Sequence, residues 1–96
     1  MSRRCVIVTY DVADPKRWRK VYRLMRDYGD HLQLSVFRVE LPPRAVEELR
    51  VRLARVVTEN DQVLFVDVGP AEGRMATQIT ALGRPYQPAS TEAVIV

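Results

Sequence analysis

The sequence predicts an α+β domain: a split βαβ sandwich with two helices on one face of an antiparallel sheet. Two observations carry the prediction. Short apolar runs alternate with amphipathic stretches of helical length, in the order β-α-β(β)-α-β with a terminal β. Between the two helical stretches, the apolar parity shifts inside a single strand-like run. A strand makes such a shift only through a twist, bulge or break.

The first strand is Val6-Ile-Val-Thr-Tyr-Asp-Val12, an apolar run that reads as buried on both faces, with Asp11 at its carboxyl end. Asp14 and Pro15 then supply a capping oxygen and a residue preset for a first helical turn. The first helix is expected from Pro15 to Tyr28, with Trp18, Val21, Tyr22, Met25 and Tyr28 as its buried stripe and Gly29 as its stop. In the run from Leu32 to Leu41, apolar residues sit at Leu32, Leu34 and Val36, then at Phe37, Val39 and Leu41. It is either one bulged strand or two short strands meeting near Ser35–Phe37. Pro42 and Pro43 open a second helix through about Val57, its stripe formed by Val46, Leu49, Leu53, Val56 and Val57. Asn60-Asp61 reads as a turn, and Val63 to Val66 as a second short buried strand closed by Gly69-Pro70. Ala71–Leu82 is expected as a weak helix and Ala93–Val96 as a final strand. The chain is thus one ferredoxin-like domain over 1–96, with 69–96 a C-terminal extension. Exposed strand edges in such a sheet invite pairing with a second copy.

Net charge is only +3, but it is unevenly placed. Residues 1–26 carry a net +6, residues 27–58 balance, and residues 59–96 carry −3. The basic character therefore belongs to the first βα unit, as a phosphate-facing surface requires. Thirteen of the fifteen cations are Arg, the side chain suited to bidentate phosphate contacts. A solvated helix face is the plainer account of the same residues. Cys5 is the only cysteine, so no disulfide framework forms within the chain. Met1-Ser-Arg-Arg4 and the apolar run after it are too short for a signal peptide, and no membrane span follows; a cytoplasmic location is expected.

Asp11 is a lone acid on rigid scaffold beside a helix bearing Lys16, Arg17, Arg19 and Lys20. That juxtaposition points to a metal, a phosphate, or both. One carboxylate holds Mg²⁺ weakly, but a two-fold dimer that set both copies of Asp11 face to face would make a pair from one residue per chain. Such a pair suits a cation that polarises a phosphodiester; alternatively Asp11 caps a turn. His31 is the sole histidine and lies beside a turn. Ser35 has no nearby base to make it a nucleophile. Phe37 and Tyr10 either stack on nucleobases or fill the core. Histidine and cysteine are too few for a structural zinc site, and the glycines form no phosphate loop.

Tyr10-Asp11-Val12, Asp14-Pro-Lys-Arg-Trp-Arg-Lys-Val21, Tyr28-Gly29 and Gln33-Leu-Ser-Val-Phe37 together resemble the CRISPR-associated protein two family, over roughly residues 5–68. The resemblance implies a ferredoxin-like symmetric homodimer with Asp11 paired across its axis as a Mg²⁺ or Mn²⁺ site and catalytic centre. It implies nucleic-acid contacts from Tyr10, Arg17, Arg19, Lys20, His31, Ser35 and Phe37. Trp18 stands where the family often has a basic residue, and His31 where an Arg commonly precedes the Gln. The role implied is spacer acquisition: the dimer binds duplex DNA and bridges integrase dimers, and some members cleave RNA or DNA as metal-dependent endonucleases. Two other readings share the fold: a virulence-associated D-type toxin ribonuclease and a small-ligand regulatory domain.

Overall fold

Strand alternation decides which side of each strand is covered, and the computed structural model, which describes residues 2–71 and 79–86, gathers the core on one side of the sheet. β1 (Arg4–Asp11) turns Val6, Val8 and Tyr10 into the core, together with Phe37 and Val39 of β3 (Val36–Leu41). Val21 and Met25 of α1 (Pro15–Arg26) and Leu49 and Leu53 of α2 (Pro43–Ala54) close on the same cluster. Both helices therefore lie on one face, and each such fully buried side chain stabilises by about 1.5–3 kcal/mol. The sheet order is β2-β3-β1-β4, with β2 (Gly29–Gln33) and β4 (Gln62–Pro70) at the edges and every pairing antiparallel. This is the ferredoxin-like arrangement expected from the sequence.

Among the described residues the opposite face is covered only in part: Cys5 is buried there, while the side toward β4 is open, which corrects the expectation that two strands are buried on both sides along their length. Ile7 and Thr9 are only half-buried, and Leu64 and Val66 of β4 are 48% and 47% exposed. Cross-strand register places Ile7 opposite Val66 and Thr9 opposite Leu64, so these residues share that opposite face.

Local chemistry explains the element ends. Asp14 caps α1 in an extended conformation, its carboxylate accepting the Arg17 N–H at 3.0 Å, and Pro15 begins the helix. The helix stops at Arg26, where the Asp27 and Tyr28 N–H groups bond back to Leu24 and Met25 carbonyls at 3.1 and 2.9 Å. Gly29 is not its stop. It opens β2, and a Cβ there would drive into the Arg38 carbonyl oxygen and to 2.6 Å from Val39 Cγ1. Glycine at this position permits β2 and β3 to approach.

The run from 32 to 41 is two strands and also a bulge: β2 and β3 join through Leu34-Ser35, and the register shifts between His31 and Gln33. The apolar parity changes because Leu32 lies at the shift and Leu34 is an exposed turn residue, so neither belongs to the face that Phe37 and Val39 share. α2 ends at Ala54, three residues early, yet Val56 and Val57 still pack on the core from the following turn. β4 continues through Pro70, so the boundary set at Gly69 falls inside it. Residues 79–86 carry no helix or strand; the rest of the expected 71–82 helix beyond Ala71, and the strand at 93–96, lie outside the described residues.

Candidate functional site

Four segments meet at one end of the sheet: the end of β1, the start of α1, the β2–β3 turn and the loop before β4. Asp11, the last residue of β1, is exposed and follows the parity of Ile7 and Thr9, so it stands on the open face. Its backbone pairs in register with Gln62. Among the described residues no hydrogen bond or ion pair engages its carboxylate, and no group of three or more His, Cys, Asp or Glu side chains gathers to hold a metal. Among the described residues this site thus holds one unengaged carboxylate, a donor set that fits Mg²⁺ or Mn²⁺ only with water, phosphate oxygens or a second carboxylate.

Tyr10 points the other way. Its ring lies 6.0 Å from Trp18 and 6.3 Å from Phe37, and its hydroxyl donates to the Leu34 carbonyl at 3.5 Å. Burial, with a smaller contribution from Tyr22, pushes the phenol up to about 12, so it stays protonated. Phe37 has no exposed surface. Both rings fill the core, one of the two alternatives that the sequence left open for them.

Ser35 sits in the β2–β3 turn as a structural acceptor. Its Oγ takes the Trp18 indole N–H at 2.8 Å, and its carbonyl takes the Tyr10 N–H at 3.0 Å. Trp18 therefore ties α1 to the turn, a task that its place in the helix's apolar stripe concealed. His31 is half-buried between Tyr22 and Phe37, centroids at 5.1 and 4.7 Å, with Nε2 3.4 Å from the Leu34 carbonyl.

Arg17 is held in a bidentate pair. Its Nε donates to Asp61 Oδ2 at 2.8 Å and its Nη2 to Asp61 Oδ1 at 3.1 Å. Asp61 Oδ1 also accepts the Ala13 N–H at 3.1 Å, and Oδ2 accepts the Thr58 N–H at 2.9 Å and its hydroxyl at 3.3 Å. The Asp61 side chain has no exposed surface. The Arg17 guanidinium, then the Thr58 amide, hold this carboxyl far below the usual carboxylate range. Sequence reasoning saw Asp61 only as a turn residue. The pairing of β1 with β4, which brings it beside Ala13 and Arg17, is non-local and leaves no mark in the sequence.

The remaining cations of α1 divide cleanly. Lys16, Arg19, Lys20 and Arg23 are exposed and recur at three- and four-residue intervals, which sets them on one outward stripe. None of them makes an ion pair among the described residues. Arg19 and Lys20 are thus where the sequence placed them, whereas Arg17 is withdrawn to the helix flank. No helix among the described residues is long and apolar enough to cross a membrane.

Comparison with known proteins bears on the whole arrangement. The sequence pattern of the family described as CRISPR associated protein Cas2 matches residues 4–75. The chain is 37% identical over 91 residues to the CRISPR-associated endoribonuclease Cas2 1 of Rhodospirillum rubrum, covering 94% of this chain and 88% of that one. It is 34% identical over 91 residues to the CRISPR-associated endoribonuclease Cas2 of Geobacter sulfurreducens, covering 94% and 95%. A solved structure described as cas2 superposes with a TM-score of 0.76 at 35% identity, over 93% of this chain and 97% of that one.

Proposed function

The chain belongs to the Cas2 family of CRISPR-associated proteins, and from that membership we propose that it works in spacer acquisition as a homodimer with a phosphodiester-cleaving centre at paired Asp11 residues. The observation that carries the reading is the parity of β1. It sets an unengaged Asp11 on the same face as half-buried Ile7 and Thr9 and exposed Leu64 and Val66, all apolar or weakly polar. A partly uncovered apolar sheet face next to a free carboxylate is what a second copy would bury while bringing the two acids together.

In that dimer Asp11 of each chain would hold Mg²⁺ or Mn²⁺. When bound, such an ion supplies charge to a phosphoryl oxygen and makes water a stronger acid. The chain's own contributions are positional. Buried Tyr10 and the β1 ladder fix the backbone under Asp11. The stripe of Lys16, Arg19, Lys20 and Arg23 binds the backbone of duplex DNA and lets the dimer bridge integrase subunits. Single-stranded RNA, with the same phosphate chemistry, is the second substrate, in keeping with the endoribonuclease names of the relatives. The protein acts in the cytoplasm, where foreign nucleic acid is captured. The family match over residues 4–75 favours this reading over a toxin-type ribonuclease or a regulatory domain.

The test is cleavage of duplex DNA and single-stranded RNA by wild-type and Asp11→Ala protein, with Mg²⁺, Mn²⁺ or EDTA. The reading expects cleavage that needs the ion and disappears in the variant. Cleavage that survives Asp11→Ala, or that is indifferent to EDTA, contradicts it. Duplex binding without cleavage by either protein leaves the bridging role and removes the catalytic one.

A further inference from the structure

Asp61 and Gln62 are consecutive, and together they hold the chain at Asp11 and just beyond it. Gln62 pairs with Asp11 in the β1–β4 ladder, while the Asp61 carboxylate takes the N–H of Ala13, two residues further on. The same carboxylate receives both arms of Arg17 from the first turn of α1 and the Thr58 amide from its own loop. Asp11 is therefore the last residue of a ladder whose exit is tied, through one fully covered carboxylate, to the helix that follows.

We propose that Asp61, acting with Arg17, is a positioning residue for the Asp11 centre: the pair fixes the exit of β1 so that the Asp11 carboxylate is presented to a divalent cation in one orientation. This rests on the reading of Asp11 as a cation ligand. It also gives Arg17 a task other than contact with phosphate. Geometry favours it over a purely structural tie. β1 is already secured along its length by β3 and β4, through Thr9 on one side and Asp11 on the other. What Asp61 adds is confined to the residues that follow Asp11. Displacements of about 1 Å are enough to spoil a catalytic constellation, and a planar guanidinium fork restricts such displacement more than a single contact does.

The sign of two substitutions separates positioning from simple electrostatics. Removing a negative charge with Asp61→Asn weakens cation binding on either view. Removing a positive charge with Arg17→Gln strengthens it if only charge matters, and weakens it if the pair positions Asp11. The experiment is a Mn²⁺ titration of the whole protein, followed by electron paramagnetic resonance, with Asp11→Ala as reference. Exchange of the Ala13 amide and the salt dependence of duplex binding are recorded on the same samples. We expect both substitutions to raise the Mn²⁺ midpoint roughly tenfold and to speed Ala13 exchange, with the salt slope of duplex binding unchanged. A Mn²⁺ midpoint that falls or stays constant in Arg17→Gln overturns the proposal, and a salt slope reduced by about one phosphate contact in that variant does too. If Asp61→Asn does not fold, Arg17→Gln alone decides. If Asp11→Ala keeps its Mn²⁺, the reading of Asp11 falls, and positioning falls with it. If Asp11→Ala loses Mn²⁺ while the other two variants match wild type, only the positioning proposal fails.

Discussion

Replacing Phe37 by leucine separates a core role from a base-stacking role in one experiment. Phe37 has no exposed surface, and its ring meets Tyr10 at 6.3 Å, Tyr22 at 5.9 Å and His31 at 4.7 Å between centroids. Leucine keeps most of the bulk but loses these ring contacts, each of which contributes about 0.5–1.5 kcal/mol beyond its buried area. Incomplete refilling of the flat ring's space adds to the loss, and the three contacts are not additive because they share one ring. The destabilisation expected is about 2 kcal/mol. For a domain of this size that lowers the melting temperature by roughly 10 °C. Thermal unfolding followed by circular dichroism reads the shift, with chain concentration held fixed because an oligomer's melting point depends on it. Affinity for single-stranded RNA, measured well below both melting points, should not change. An unaltered melting temperature together with weakened RNA binding would refute the placement of Phe37 and, with it, the division of the sheet into covered and open faces.

Four further outcomes follow from the same geometry. Gly29→Ala should cost about 1–3 kcal/mol in denaturant unfolding, because its Cβ has no room against Arg38 and Val39. Trp18→Phe and Ser35→Ala should each lose about 1 kcal/mol, and the double variant should lose less than their sum, since both remove the single 2.8 Å bond between them. Arg19→Gln and Lys20→Gln should each lower the salt slope of duplex binding by about one contact, while Glu47→Gln on the exposed side of α2 should not. Asp61 has a folded-state carboxyl held below its unfolded value by Arg17 and then the Thr58 amide, and Asp67 one held below by Arg4. Between those values the unfolded chain binds more protons, so stability is present above the ordinary carboxylate value of about 4 and is lost as pH falls below it. Asp61→Asn should flatten that acid limb in a series of unfolding curves.

What was legible in the sequence was local. Asp14 and Pro15 mark a helix start by chemistry that needs no tertiary partner, and the apolar run before them marks a strand that ends in Asp11. The parity shift announced an irregularity and left open a hairpin or a bulge; the protein has both. Gly29 misled because a glycine after an amphipathic helix looks the same whether it stops the helix or admits a neighbouring strand. Only the position of Arg38 distinguishes the two. Arg17 and Arg19 are alike in sequence, two residues apart on a basic helix. They differ in fate because α1 turns one toward Asp61 and the other outward. That partner is 44 residues away and arrives only when β4 pairs with β1. Asp11 was legible by type and place, but its face of the sheet was not, since that depends on which side the helices cover.

The pairing of Asp11 across a dimer is tested most directly by the stoichiometry of the ion it binds. Mn²⁺ is titrated into protein whose dimeric state has been fixed by sedimentation, and the tightly bound fraction is counted by electron paramagnetic resonance. One ion for every two chains, absent in Asp11→Ala, is the result predicted. One ion for each chain, or the same uptake by a monomer, would contradict a shared site.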